Sequence, residues 1–247
     1  PSDYQQVLER VNETCGIDFT RYKPKTIARR LEARMAATRA GSLAEYLAYV
    51  TSNPSEAEKF VRAALISVTD FFRDPKPYQG VEALAERIAS SGTKTVRIWV
   101  PGCATGEEAY SLAIAFDRKL REIQANCRLQ VFGTDIDEEA ILSARKGIYS
   151  AASIENIDQP TLSSYFRAVG DRYQVVKRLR ELVVFARHDL VKDPPFLHLD
   201  LVSCRNLLIY FDNDLQRETF EKFHRSLKPG GYLFLGKSES PSQVTGL

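Results

Sequence analysis

Several chemistries are missing from this sequence. Histidine occurs three times and cysteine four times in 247 residues. Cys15, Cys103, Cys127 and Cys204 lie far apart, with no C-x-x-C pair and no histidine cluster, so neither a metal site nor a disulfide framework is written into their spacing. They read as buried, reduced thiols of a cytoplasmic protein. No apolar run approaches the roughly eighteen residues that a membrane span needs, and no basic segment followed by an apolar stretch marks a secretory signal. Pro1 in place of a methionine reads as a processed or shortened start. Charge of one sign is also lacking. Lys and Arg number 34 against 32 Asp and Glu, a net +2, too little to imply a nucleic-acid partner. What is present is ordinary: 44% hydrophobic and 27% charged residues, enough apolar surface for a normal core.

Residues 1–73 read as a run of helices. Ile27, Leu31 and Met35 recur every fourth residue and mark one apolar face. Ser42 with Glu45, and Ser55 with Glu58, have the spacing of capping boxes that start two further helices. Asp74-Pro75-Lys76-Pro77 breaks the pattern, so residues 74–94 are expected to form a linker and a helix from about Tyr78 to Ala89. From 95 to 247 strands alternate with helices. Strands are expected at 96–100, 129–133, 182–185, 199–203 and 232–235, and helices at 107–122, 137–146 and 212–227, the last ended by Lys228-Pro229-Gly230-Gly231. Such alternation implies a parallel sheet covered on both faces, here a doubly wound, Rossmann-like α/β domain. The stretch of about 148–181 is too long for a plain connection. Its alternating run Arg172–Leu179 after a Gly170-Asp171 turn predicts a small inserted antiparallel β-subdomain.

Ligands of open parallel sheets bind beyond the carboxyl ends of the strands, where the strand order reverses. Three segments fall at such ends. The turn Gly102-Cys103-Ala104-Thr105-Gly106-Glu107 follows the first strand and opens a helix. Taken alone it reads equally as a plain helix-opening turn. It lacks the third glycine of a dinucleotide fingerprint and the Lys-Ser/Thr of a P-loop. Glu107 at a helix N-terminus would repel a pyrophosphate and would suit an ammonium group. Asp135 ends the second strand, where an acid accepts bonds from ribose hydroxyls; the other reading, a helix N-cap, suits Asp137 better. Arg205 and Asn206 follow the fourth strand, beside the first, and would face the same ligand unless they form a surface loop. Together these parts suit a nucleoside without a phosphate chain, S-adenosylmethionine before a dinucleotide.

At these residues the sequence resembles the bacterial chemotaxis receptor methyltransferases, the CheR family. Five motifs carry the resemblance in order: Thr69-Asp70-Phe71-Phe72-Arg73-Asp74, Gly102 to Ser111, Thr134-Asp135-Ile136-Asp137, Cys204 to Phe211, and Lys228-Pro229-Gly230-Gly231. The resemblance implies a small all-helical N-terminal domain before an S-adenosylmethionine-dependent methyltransferase domain with an inserted β-subdomain. It implies methyl transfer from S-adenosyl-L-methionine to glutamate carboxylates of chemotaxis receptors, giving methyl esters and S-adenosyl-L-homocysteine. It implies Ser67, Thr69, Arg73, Gly102, Glu107, Asp135, Asp189, Leu190, Arg205 and Asn206 as cofactor-binding, and Arg73 and Tyr210 as flanking the transferred methyl group. Read without the family, Arg73 is a surface arginine near a domain boundary or a group closing on the site, and Tyr210 is equally a half-buried core tyrosine. Ser67 and Asp189 stand where the family often has Asn, and the Gly170-Asp171 turn is shorter than in members that grip a receptor peptide. The stop at Leu247, soon after the fifth strand, reads as a shortened end.

An acceptor glutamate is ionised near neutral pH, with an ordinary pKa of about 4.3, so no general base is needed, and His188, His198 and His224 show no partner pattern. Alignment alone can supply roughly 7–11 kcal/mol. Arg21, Lys23, Lys25, Arg29, Arg30, Arg34 and Arg39 face a single acid, Glu32, within residues 21–39. Lys25, Arg29, Arg30 and Arg34 are candidate docking residues for the acidic cytoplasmic helical bundle of a receptor. A solvated charged face is the bland alternative, and RNA would need interleaved aromatics that are missing. No nucleic acid and no direct membrane insertion are expected, and a monomer is. Other readings are a methyltransferase for a different acceptor and a non-catalytic signalling module that binds the cofactor or its product.

Overall fold

In the computed structural model, residues 1–65 and 68–241 are described. The chain divides into two compact units, residues 1–66 with 207–218, and residues 67–206 with 219–247. Among the described residues no helix is long and apolar enough to cross a membrane.

The first unit is helical. Helix α1 (Asp3–Cys15) opens on a full capping box between Ser2 and Gln5 and stops at Gly16, whose φ of 74° is left-handed. Helix α2 (Pro24–Thr38) buries Ile27 and Leu31, while Met35 is half-buried. Helix α3 (Leu43–Ser52) is capped by Ser42, which accepts from the Glu45 amide; the Glu45 carboxylate turns to the Gly41 amide. Helix α4 (Pro54–Ala64) starts where Asn53 and Pro54 mark it, Asn53 holding the cap position without a side-chain bond, while Ser55 sits inside the first turn and forms no capping box. Pro54, with φ preset for a first helical position, outranks the serine. Residues 207–218 complete this unit. Phe211 is buried, its ring 5.1 Å from that of Tyr22, the Lys23 amide donates to the Tyr210 carbonyl, and Arg21 clasps Glu218 through two nitrogens.

The second unit begins with the segment from residue 68, a few residues before the Asp74–Pro77 break, and runs on through α5 (Lys76–Ser90). It then alternates β1 (Thr95–Pro101), α6 (Glu107–Glu122), β2 (Arg128–Asp135) and α7 (Glu138–Lys146). The insertion supplies β3 (Ile148–Ser150), α8 (Gln159–Tyr165), β4 (Phe166–Val169), β5 (Arg172–Val175) and the short α9 (Lys177–Arg180). Strands β6 (Val183–Arg187) and β7 (Leu199–Cys204), helix α10 (Asn213–Ser226) and β8 (Leu227–Leu235) follow. The main sheet has the order β6-β2-β1-β7-β8, parallel throughout. The order reverses between β1 and β7. Strand β7 is buried at every residue, as a central parallel strand covered on both faces should be.

Two elements differ from the sequence reading. The alternating run after Gly170 ends as a strand at Val175, because Leu179 buries itself on a helical turn instead. Lys228-Pro229-Gly230-Gly231 does not separate helix from strand. It is a bulge within β8, which pairs Leu227 with Leu199 and then jumps to pair Tyr232 with Leu201, with Gly230 at φ 76°. The insertion forms a separate sheet, β3-β5-β4, tied to α6 through Asp117, which accepts from Arg178, Tyr165 and Arg121 at 2.8–3.0 Å.

Candidate functional site

The carboxyl ends of β2, β1 and β7 are neighbours by sheet order, so the three segments singled out in the sequence converge on the switch point. The turn after β1 needs its glycines. Gly102, Ala104 and Gly106 all have left-handed φ values, 65°, 48° and 97°. A Cβ on Gly106 would stand 2.9 Å from the Ala144 Cβ and 3.0 Å from Phe185. Below the turn the Trp99 indole, fully buried, donates to Thr134, and the Cys103 amide donates to the Thr134 carbonyl, so β1 and β2 are locked together where the site begins.

Asp135 is held by the turn itself. One carboxylate oxygen accepts from the Ala104 amide at 2.8 Å and the other from the Asp137 amide at 3.0 Å. Burial pushes its pKa up, and these amides oppose the shift. Each oxygen keeps a further lone pair for a ligand hydroxyl. Asp137 caps α7 through the amides of Glu139 and Ala140, which leaves Asp135 for other work.

Glu107 is 5% exposed and has no ion pair among the described residues. Its carboxylate accepts from the Thr105 hydroxyl at 2.6 Å. Burial pushes its pKa up to about 7; the Thr105 bond opposes that shift and nearby Asp70 adds to it. A carboxylate so placed favours a cation that arrives with the ligand.

Glu108 has the opposite surroundings. It accepts from Tyr78 at 2.7 Å, from Ser203 at 3.0 Å and from Arg205 at 3.1 Å. Arg205, 3% exposed in its side chain, also donates to the Arg73 carbonyl, pairs with Asp74 and lies over the Phe234 ring at 4.7 Å. Its guanidinium therefore ties the 73–74 turn to the end of β7. Asn206, at φ 61°, lends its amide to Glu239, which also takes the Gly236 amide. The Asn206 Oδ1 is buried with no hydrogen-bond partner among the described residues, an acceptor that calls for a donor.

Arg73 is half-buried and its Nη1 donates to the Val68 carbonyl. Thr69 is half-buried too. The Phe72 amide donates to Ser111, whose hydroxyl returns to the Glu107 carbonyl, so the 68–74 segment and the start of α6 are stitched together. Asp189 follows β6 and is half-buried, its carboxylate accepting from the Val191 and Lys192 amides of its own loop. Leu190 is buried, its carbonyl bonded by Lys222. Ser67 lies outside the described residues. Tyr210 belongs to the helical unit, as does α2. There Lys25 and Arg29 are exposed and Arg30 half-buried. Arg34, read from the sequence as a docking residue, instead grips the buried Glu56 through two nitrogens at 2.8 Å. The sequence reading missed Glu108, Glu239 and Lys222, each of which has a partner 29–97 residues away in sequence.

The site fits S-adenosylmethionine on three observations: an uncompensated buried carboxylate for an ammonium, an acid with spare lone pairs at the end of β2, and a buried acceptor without a donor at the end of β7. Comparison with known proteins agrees. The family description "CheR methyltransferase, SAM binding domain" matches residues 67–246, and "CheR methyltransferase, all-alpha domain" matches residues 2–65. A Rhodobacter capsulatus protein, "Uncharacterized 104.1 kDa protein in hypE 3'region", is 37% identical over 97% of this chain, which spans only 25% of that relative's length. Chemotaxis protein methyltransferase 2 of Pseudomonas aeruginosa is 33% identical over 96% of this chain and 86% of its own. The chemotaxis protein methyltransferase of Listeria innocua is 29% identical over 96% and 89%.

Proposed function

We propose, from the premise that this chain belongs to the CheR methyltransferase family, that it transfers the methyl group of S-adenosylmethionine to glutamate side chains of chemotaxis receptors. The products are glutamyl methyl esters and S-adenosylhomocysteine. The observation that carries the reading is Glu107, a buried carboxylate with a pKa raised to about 7 and no ion pair among the described residues. Two relatives bearing the name chemotaxis protein methyltransferase support the pathway.

S-adenosylmethionine supplies an electrophilic methyl group on a sulfonium that leaves as a neutral thioether. The chain's own residues bind and orient. Glu107 takes the ammonium, Asp135 the ribose hydroxyls, and Asn206 a donor at the methionine end. Gly102 allows close approach of the turn, while Thr69, Asp189 and Leu190 border the site. Arg205 acts through the 73–74 turn that it holds. Arg73 steers the acceptor carboxylate. That carboxylate is already ionised at neutral pH, so no proton has to move before attack, and alignment with exclusion of water carries the rate. On α2, Lys25 and Arg29, with Arg30 beside them, dock the acidic face of a cytoplasmic receptor bundle.

Incubation with methyl-labelled cofactor and receptor cytoplasmic fragments tests this. Base-labile label on receptor glutamates is expected. Base-stable label on another acceptor, or cofactor binding with no turnover on receptor fragments, would overturn it.

A further inference from the structure

We infer that Tyr149 is a positioning residue through which the inserted β-subdomain holds the cofactor turn in its binding geometry, an inference that rests on the cofactor reading above. Tyr149 is the middle residue of β3, paired with Tyr173 of β5, and it is buried. Its hydroxyl leaves the small sheet and donates to the Thr105 carbonyl at 2.7 Å. Its ring meets Phe71 edge-on at 4.8 Å and Tyr110 at 6.2 Å. Phe71 in turn touches Phe166 of β4 at 5.3 Å. The insertion therefore grips both the 68–74 segment and the turn after β1.

Thr105 is the relay. Its backbone receives the Tyr149 hydroxyl, and its own hydroxyl donates to Glu107 at 2.6 Å. The turn around it is under tension, since Ala104 is a non-glycine residue at φ 48°, a conformation that persists only where neighbours enforce it. Burial keeps the Tyr149 hydroxyl protonated far above neutral pH, so it is a constant donor. Without it the Thr105 carbonyl loses its partner, the threonine is freer to turn, and Glu107 loses its orienting bond.

The test compares S-adenosylhomocysteine binding by calorimetry in wild type, Tyr149→Phe and Thr105→Val across pH 5.5–8.5, a window of about 1.5 either side of the Glu107 pKa of about 7. The groups facing Glu107 are Asp70, Thr105, Cys103 and Tyr149. Burial holds the Cys103 thiol and the Tyr149 hydroxyl protonated throughout this window, while Glu107 titrates within it. Tyr149→Phe is expected to weaken binding roughly tenfold, as loss of a buried hydrogen bond does. It should raise KM for the cofactor more than it lowers kcat, and move the binding midpoint to higher pH because the Thr105 bond that lowers the Glu107 pKa is loosened. Thr105→Val should show the same signature, and the double variant should lose no more than the stronger single one. Unchanged affinity and midpoint in Tyr149→Phe, or additive losses, overturns the inference while leaving the cofactor reading intact. Failure of the wild type to bind overturns both. Hydrogen exchange on the wild type is independent of folding in the variants: the ligand should slow exchange of β3 and β5 amides several-fold, and no change there also overturns the inference.

Discussion

The two units each bury a glutamate, and they treat it in opposite ways. In the helical unit Glu56 is 2% exposed. It is met by two nitrogens of Arg34 and by the Tyr46 hydroxyl at 3.0 Å. In the sheet unit Glu107 is almost as deeply buried and receives one threonine hydroxyl. A buried charge is tolerated when it is paired. Glu56 is paired by the fold; Glu107 keeps its deficit, and its pKa rises to about 7 in consequence. Burial alone therefore does not mark a functional acid. Burial without a countercharge raises a carboxyl's pKa, as at Glu107.

Four experiments test this contrast. Arg34→Ala should have the largest effect, destabilising the helical unit by about 3–5 kcal/mol, since it strands a buried carboxylate; urea unfolding followed by hydrogen exchange in α2 and α4 measures it, and a loss under about 1 kcal/mol would break the contrast. Glu107→Gln should do the reverse. A carboxyl whose folded pKa is raised favours the fold below its unfolded value, and that advantage is lost as pH rises toward about 7. Removing the charge should thus stabilise the free protein at pH 8 by roughly 3 kcal/mol and by less than about 1 kcal/mol near pH 5, while weakening cofactor binding about a hundredfold. Thermal unfolding at the two pH values, with calorimetry, reads both. Tyr46→Phe removes one neutral donor from Glu56 and should cost about 1 kcal/mol, visible in the same urea titration. Lys25→Glu with Arg29→Glu, both exposed, should shift stability by less than about 0.5 kcal/mol yet lower the rate of receptor methylation, with the difference shrinking as salt rises.

These contrasts also explain what the sequence disclosed. The sheet unit was legible because its signals are local. Glu107 opens a helix at the end of a strand, and Asp135 closes one. Helix α6 has the limits its periodicity implied. The misread elements were those where a distant partner decides. Arg34 looked like one of a row of docking cations, because Glu56 lies 22 residues further on. Lys228 to Gly231 looked like a helix stop, and only pairing with Leu199 and Leu201 makes them a bulge. Arg205 was visible as a polar residue at the right strand end, but its clamp on Glu108 and Asp74 spans more than 90 residues. Local propensity carries no record of such pairs.

The helical unit is completed by residues 207–218. At synthesis rates of about 5–20 residues per second, the first four helices leave the ribosome roughly 8–30 s before Phe211 and Glu218 exist. Through that interval Tyr22 lacks the Phe211 ring and Arg21 lacks its carboxylate partner. These four helices thus stay unfinished until residues 207–218 are made, and a nascent chain stalled before residue 207 would carry an open aromatic face for chaperones to meet.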